Sequence, residues 1–324
     1  MDRTATLNDV AECYRLFLER DVEDASTAVM QMADVSNLWE LINRFAVSTE
    51  AIRRKVNRAS GFISDIYDPS QVDPSASDAQ REDLLTDTLA RWERCGRGFA
   101  YDQIFRDPRL FADRSGKWNR EKRLEIAQEE LQRMFIALHR NGITLPPHFS
   151  VLALGYEVAF LAAAVAHWHG RFLGLEIGRS ALEQGISALE ERSVTAGELI
   201  SLRAFLESAP FDDWQRHDIF HSVMLLQYAP PPVALMLLHI CLGRIKPGGH
   251  AYFQVPCQVY DYGFKTAEYL SAKSNSDAGE IHALPQSYVF QLLARHGFVP
   301  LEILPDQRIG PAGLSFTYLA RKIR

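Results

Sequence analysis

Two stretches place reactive groups at the ends of apolar runs. In residues 150–160, SVLALGYEVAF, Val151 to Leu154 are apolar without alternation and Gly155 breaks the run. Phe172 to Glu176 repeats the pattern and ends on an acid. Unbroken apolar runs of this length suit strands covered on both faces. A glycine just after one strand lets the backbone approach a ligand, and an acid ending the next can accept hydrogen bonds from ribose hydroxyls. Gly155 and Glu176 therefore point to a nucleoside-containing ligand. A third stretch, HSVMLLQYAPPP at 221–232, offers an imidazole, an amide and a phenol: His221, Gln227 and Tyr228. His221 titrates in a range suited to base catalysis, although its place in a strand favours a packed histidine over a base. Gln227 and Tyr228 fall in the loop after that strand and are candidate pocket residues.

These groups need a frame, and the chain supplies a repeating one. An Ala-rich helix from about Phe160 to Trp168 separates the first two strands, a β-loop-α-β unit. A strand over His217–Met224, a helix over Val233–Leu242 and a strand over His250–Val255 continue the rhythm. Residues 257–285 form an aromatic-rich insertion with Tyr260, Tyr262 and Tyr269, and a helix over Gln286–His296 follows. FVPLEIL at 298–304 and LSFTYLAR at 314–321 close the chain as two strands joined by a turn-rich segment.

With the strand end LxLG at 152–155, Glu176, the segment at 221–232 and RIKPGGHAYFQVP at 244–256 in place, residues 146–324 resemble a class I S-adenosylmethionine-dependent methyltransferase domain. With LLQYAPPP and KPGG it resembles the methyltransferases found near bacterial surface-glycan genes. It implies an α/β, Rossmann-like fold with a seven-stranded, mostly parallel sheet ending in an antiparallel hairpin. It also implies S-adenosylmethionine as cofactor, with Gly155, Glu157, Glu176 and Phe205 at cofactor positions and His221, Gln227 and Tyr228 on the acceptor side.

Departures from the family pattern are concentrated at the cofactor. The family acid near the methionine end falls at Ala153, Glu157 replaces the middle glycine, and Ala159 replaces the last. The Glu157 charge either faces the methionine carboxylate at roughly 4 to 6 Å, an unfavourable contact, or turns to solvent. Arg171 and Arg179 are candidate compensating cations. Where many members carry an acid for the adenine amino group, this chain has Phe205, which can pack on a purine face but accepts no hydrogen bond; it is equally readable as core.

Upstream, residues 1–64 read as a small helical module. Thr6 and Asp9 can cap a helix bearing Val10, Tyr14, Phe17 and Leu18. A second helix carries Leu38, Leu41, Ile42 and Phe45, and Ser48 can cap a third with Ile52 and Val56. CYRLFLERD and LINRFAVSTEAIRR resemble a short helical repeat-like domain of bacterial secreted and glycan-assembly proteins. So small a core suggests a protein partner for these helices. Residues 65–83, rich in Asp, Pro and Ser, read as a linker, and 84–145 as a helical cap or lid with Trp92 and Tyr101 its most interesting members. Its last helix, about Asn119 to Asn141, presents Leu124, Ile126, Leu131, Phe135 and Leu138 toward the sheet domain.

A net charge of −6 with 23% charged residues gives no nucleic-acid footprint. The four cysteines are scattered, and neither they nor the ten histidines form a metal motif. No leader peptide and no membrane span are expected, so a cytoplasmic protein is the expectation. Two functions follow. One is methyl transfer to a glycan or small hydroxyl acceptor, favoured by Gly155, Glu176 and the KPGG frame. The other is a cofactor-free methyltransferase-like binding or assembly module, favoured by Ala153, Glu157, Ala159 and Phe205.

Overall fold

The computed structural model describes residues 3–18, 20–33, 35–46, 48, 71–95, 120–155, 158–191, 193–195, 197–207, 216–260, 262–272 and 280–324. Glu157, Tyr101 and the expected third helix around Ile52 and Val56 lie outside these residues. The chain divides into two compact units, Met1–Asp68 and Pro69–Arg324.

In the first unit, α1 (Leu7–Cys13) opens on a reciprocal cap. The Asp9 N–H donates to Thr6 Oγ1 at 3.3 Å, and the Thr6 N–H donates to Asp9 Oδ2 at 2.8 Å. These bonds satisfy two backbone groups at the helix start. The helix does not continue unchanged to Leu18, since Tyr14–Leu18 widens into a π turn. A helix absent from the sequence reading, α2 (Ala25–Met32), is capped by Asp24. Together with α3 (Leu38–Ala46) it closes a core of Val10, Cys13, Tyr14, Leu18, Ala28, Leu41 and Phe45.

The second unit begins inside the stretch read as a linker. Strand β1 (Val72–Asp73) is followed by helix α4 (Asp78–Cys95). Ser77 and Gln80 form a reciprocal cap at its start, at 2.9 and 3.2 Å, so the polar composition that suggests a linker here encodes a helix start. Next come α5 (Arg120–Arg140), β2 (Ser150–Gly155), α6 (Val158–His167), β3 (Arg171–Glu176), α7 (Arg179–Glu191), β4 (Gly197–Ser201), α8 (Leu202–Glu207) and β5 (His217–Ser222). A 3-10 turn at Leu226–Tyr228 leads to α9 (Pro231–Gly243) and β6 (Ile245–Val259). The chain ends with β7 (Phe264–Lys265), α10 (Thr266–Ala272), α11 (Gln286–Arg295), β8 (Phe298–Asp306) and β9 (Gly313–Lys322).

Seven strands form one sheet in the order β4-β3-β2-β5-β6-β9-β8. The first five are parallel, and β9 runs antiparallel to both its neighbours. Strand order reverses between β2 and β5, which opens a crevice at their carboxyl ends. Alternate residues feed two cores. Leu152, Leu154, Leu175, Phe220 and Phe253 face one side with α4, α8, α9 and α11. Val151, Ala153, Phe172, Ile219 and Tyr252 face the other, where α5 contributes Leu131, Met134 and Leu138. Because both faces are covered, the strands read as apolar runs without alternation.

Strand β6 is longer than its expected fifth-strand core. Its pairing with β5 jumps from His217↔Ile245 to Ile219↔His250, so the Lys-Pro-Gly-Gly segment bulges out of the ladder. Gly248 takes φ +83° there, a conformation that glycine adopts without a Cβ penalty. A second, two-stranded parallel sheet pairs β1 with β7, tying the segment before α4 to the insertion after β6.

Candidate active site

Gly155 and Glu176 are the last residues of β2 and β3 and face each other in register. Glu176 is buried at 1% exposure. Its Oε2 accepts the Val158 N–H at 3.2 Å and its Oε1 accepts the Ile177 N–H at 3.0 Å. Val158 opens α6, so the carboxylate also fills the anionic position at a helix start.

Gly155 requires no special backbone conformation, since its φ lies outside the left-handed region. Among the described residues, the nearest atom to an added Cβ would be Val158 Cγ1 at 3.5 Å, an ordinary contact. The backbone conformation of Gly155 itself thus does not demand a glycine.

The remaining expected cofactor groups separate. Ala153 is fully buried within β2, between Gly174 and His221, and presents no acceptor. Ala159 is buried in the first turn of α6, where the Cβ of a residue at Gly185 would approach it to 2.9 Å. Phe205 belongs to the core, at 3% exposure, with the Arg244 guanidinium carbon 5.4 Å from its ring centre. Because α8 starts directly after Ser201, Phe205 falls one turn into a helix packed on the sheet instead of at the tip of β4. The neighbour of Glu176 on β4 is Ser201, whose Oγ accepts the Ala204 N–H at 3.0 Å. Arg171 opens β3, five residues before Glu176, or about 16 Å away along a strand. It therefore stands at the opposite end of the paired strands from Gly155 and cannot serve as the local cation. Arg179 is exposed and pairs with Glu183 at 3.1 Å.

On the acceptor side, His221 lies within β5 between Ala153 and Tyr252, and its ring stacks on Tyr252 at 5.7 Å between centroids. Burial lowers its pKa to about 4, keeping the ring neutral. Tyr228 is also core, packed with Leu225, Leu226 and Ala229. Gln227 is placed differently. Its Oε1 accepts from Gln254 Nε2 at 3.1 Å, while Gln254 Oε1 accepts the Met224 N–H at 2.9 Å. Gln254 also donates to Ser315 Oγ. This buried amide network fixes the turn after β5 against β6 and β9, and it crosses more than sixty residues of sequence without a motif to reveal it.

The Gln227 carbonyl faces the other way, accepting the His282 N–H at 2.7 Å. His282 leads into a cluster built by α4 and the insertion after β6. Tyr262 Oη lies 2.8 Å from His282 Nδ1, and the Tyr269 hydroxyl donates to Glu280 at 3.0 Å. Arg91 stands 3.9 Å from the same carboxylate. The abundance of tyrosines marked this insertion, but nothing in sequence singled out His282. Trp92 is a core residue at 2% exposure. Among the described residues no group of three or more His, Cys, Asp or Glu side chains is placed to hold a metal, and no helix is long and apolar enough to cross a membrane.

This architecture is the Rossmann-like fold of class I S-adenosylmethionine-dependent methyltransferases. The magnesium protoporphyrin IX methyltransferase of Synechocystis PCC 6803, solved with bound S-adenosylhomocysteine, superposes with a TM-score of 0.50 at 11% identity, covering 72% of this chain and 99% of that one. At that identity the likeness establishes the fold alone. In sequence, the ubiquinone biosynthesis O-methyltransferase of Vibrio vulnificus is 29% identical over 104 residues, and that of Vibrio parahaemolyticus 28% over 104 residues. Each match covers 32% of this chain and 42% of the relative, less than half its length. No protein-family profile matches the chain.

Proposed function

We propose that residues 69–324 bind S-adenosylmethionine across the carboxyl ends of β2 and β3 and transfer its methyl group to a hydroxyl of a small acceptor, the class that includes glycan hydroxyls. The observation that carries this reading is the pairing of Gly155 with a buried, pre-oriented Glu176 beside the point where strand order reverses. The ribose hydroxyls would donate to the Glu176 carboxylate, and Gly155 carries no side chain at the strand tip beside it. The cofactor supplies a sulfonium-bound methyl group, an electrophile that needs an aligned nucleophile more than an elaborate acid-base set. Two strand spacings, about 10 Å, separate the tip of β3 from that of β5. The turn carrying Gln227 therefore borders the reacting end of a ligand anchored at Glu176.

Titration of the full chain with S-adenosylhomocysteine by calorimetry tests the reading. Saturable binding that weakens in Glu176→Gln is the expected result. Absence of binding in the wild type would reject it in favour of the second function, a cofactor-free binding or assembly module, for which the missing acceptor at Ala153 argues. Glu157→Gly separates the two further. If the Glu157 charge crowds the methionine carboxylate, the substitution strengthens binding by about 1 kcal/mol or more; equal affinities would mean that the side chain turns to solvent.

A further inference from the structure

The amino end of the sheet, opposite the tips of β2 and β3, gathers arginines that have no carboxylate partner. Arg171 opens β3 and Arg216 immediately precedes β5, while Arg321 lies beside His250 where β6 pairs with β9. Arg295 ends α11, and Arg324 follows β9 so closely that its carbonyl oxygen would lie 2.6 Å from a Cβ at Gly297. All five are exposed, and none forms an ion pair with a described residue. Elsewhere in the second unit seven described arginines have a carboxylate at 3.9 Å or closer, from Arg81 with Asp78 to Arg308 with Glu130. In a chain of net charge −6, the unneutralised guanidinium groups among the described residues of this unit thus gather at one end of the sheet.

Groups behind these arginines feel their charge. Burial and then Arg171 lower the His217 pKa to about 4 against the pull of Asp218, burial and Arg321 lower that of His250, and burial and Arg295 lower that of His239. Burial and Arg216 do the same to the Lys322 ammonium. Carboxylates at this end are engaged or stand aside. Asp218 pairs with Lys246 and accepts the Ser150 N–H at 2.9 Å, while Glu190, Glu191 and Glu198 flank β4 at the border of the sheet. From β3 to β9 is four strand spacings, so the stripe runs about 19 Å. Two large apolar side chains stand out of the same end. Ile323, next to Lys322, and Trp168, three residues before Arg171, are 62% and 57% exposed, more than any other large hydrophobic described in the unit. Anionic headgroups offer phosphate oxygens to guanidinium groups, and the boundary beneath them takes tryptophan and isoleucine. An acidic protein segment would account for the arginines but not for the two exposed apolar side chains.

We propose that the amino end of the sheet docks on an anionic lipid bilayer, with the five arginines on headgroup phosphates and Trp168 and Ile323 at the acyl boundary. This is independent of the methyltransferase reading and requires no membrane-crossing helix. Docked in this way, the strands stand with their carboxyl tips away from the bilayer. Glu176 is then up to about 16 Å farther from it than Arg171, the length of β3. The strand tips at Gly155 and Glu176 therefore face water, and an acceptor reaches them from the aqueous side. Attachment to the bilayer and binding at the strand tips do not compete, because they use opposite ends of the same strands.

The test is co-sedimentation of the full chain with vesicles of phosphatidylcholine, alone or with about one third phosphatidylglycerol. Wild type is expected to bind the mixed vesicles at low salt, to leave them as salt rises toward ~0.5 M, and not to bind phosphatidylcholine alone. A triple variant with Arg171→Ala, Arg216→Ala and Arg321→Ala should bind about 100-fold more weakly, or about fivefold for each arginine. Its urea midpoint should match wild type, since these side chains have no described ion-pair partner. A second triple variant, Arg81→Ala, Arg133→Ala and Arg203→Ala, removes the same charge at paired sites and should bind vesicles like wild type. Trp168 fluorescence, taken as the difference from Trp168→Phe, should shift to shorter wavelength on the mixed vesicles only. Absence of vesicle binding overturns the proposal, and so does equal binding by the two triple variants, which would exclude this stripe as the contact. Binding to soluble polyglutamate without binding to vesicles would assign the face to an acidic protein partner and overturn it as well. None of these outcomes bears on S-adenosylhomocysteine binding, which the calorimetric titration decides separately.

Discussion

Gly155→Ala separates folding from ligand binding at the tip of β2. The residue lies outside the left-handed region, and a methyl group there meets Val158 Cγ1 at 3.5 Å among the described residues, an ordinary contact. Folding should therefore tolerate the change. Loss of glycine flexibility from the unfolded chain should stabilise the protein by roughly 0.4 to 1 kcal/mol. The same methyl group occupies the space through which a nucleoside would approach the strand tip and the neighbouring Glu176. Overpacking of that contact costs about 1 to 3 kcal/mol, or roughly 5- to 150-fold in affinity. Urea denaturation and calorimetric titration with S-adenosylhomocysteine read the two quantities on the same samples. The expected result is a midpoint equal to or above wild type together with weakened binding. Unchanged affinity would refute the placement of a ligand over Gly155, whereas a loss of stability would show that the strand end needs glycine for its own backbone.

Glu176→Gln should instead lower both quantities: an amide leaves one of the two backbone donors at Val158 and Ile177 facing a donor, costing roughly 1 to 3 kcal/mol of stability in urea, and an unchanged midpoint would argue against that double anchorage. Phe205→Ala should cost about 3 to 5 kcal/mol as a core truncation; if it folds, its affinity for S-adenosylhomocysteine should match wild type, and a selective affinity loss would restore Phe205 to an adenine-contacting role. Acid should destabilise the protein early. Burial lowers the pKa of His217 and His221 to about 4 and of His282 to about 3. Their contribution to stability is intact above the unfolded value near 6.5 and is lost as pH falls toward those folded values, because the unfolded chain binds the protons first. With three such groups the slope approaches about 4 kcal/mol per pH unit near pH 5, and denaturation midpoints that stay flat between pH 7 and pH 5 would contradict it.

The alternating order of strands and helices was legible in the chain because a parallel sheet covered on both faces leaves unbroken apolar runs, as at Val151–Leu154 and Phe172–Leu175. The ends of those runs were legible too, since Gly155 and Glu176 interrupt them with groups that do not belong in a core. The reciprocal cap at Thr6 and Asp9 follows from spacing alone, as does the glycine-rich turn before the main part of β6. What the tertiary structure decided is which polar side chains meet. Phe205, expected either at the adenine end or in the core, belongs to α8, which begins directly after β4 and turns the ring into the core. Arg171 is close to Glu176 in sequence, yet the extended strand puts it at the other end of β3. Gln227 meets Gln254, Gln254 meets Ser315, and Gln227 accepts the His282 N–H on its carbonyl, across separations of 27 to 61 residues within the amide network and 55 to the histidine. Local periodicity reports which face a residue takes within its own element; it carries no information about which distant side chain arrives opposite, because that depends on strand order and on the packing of the insertion after β6.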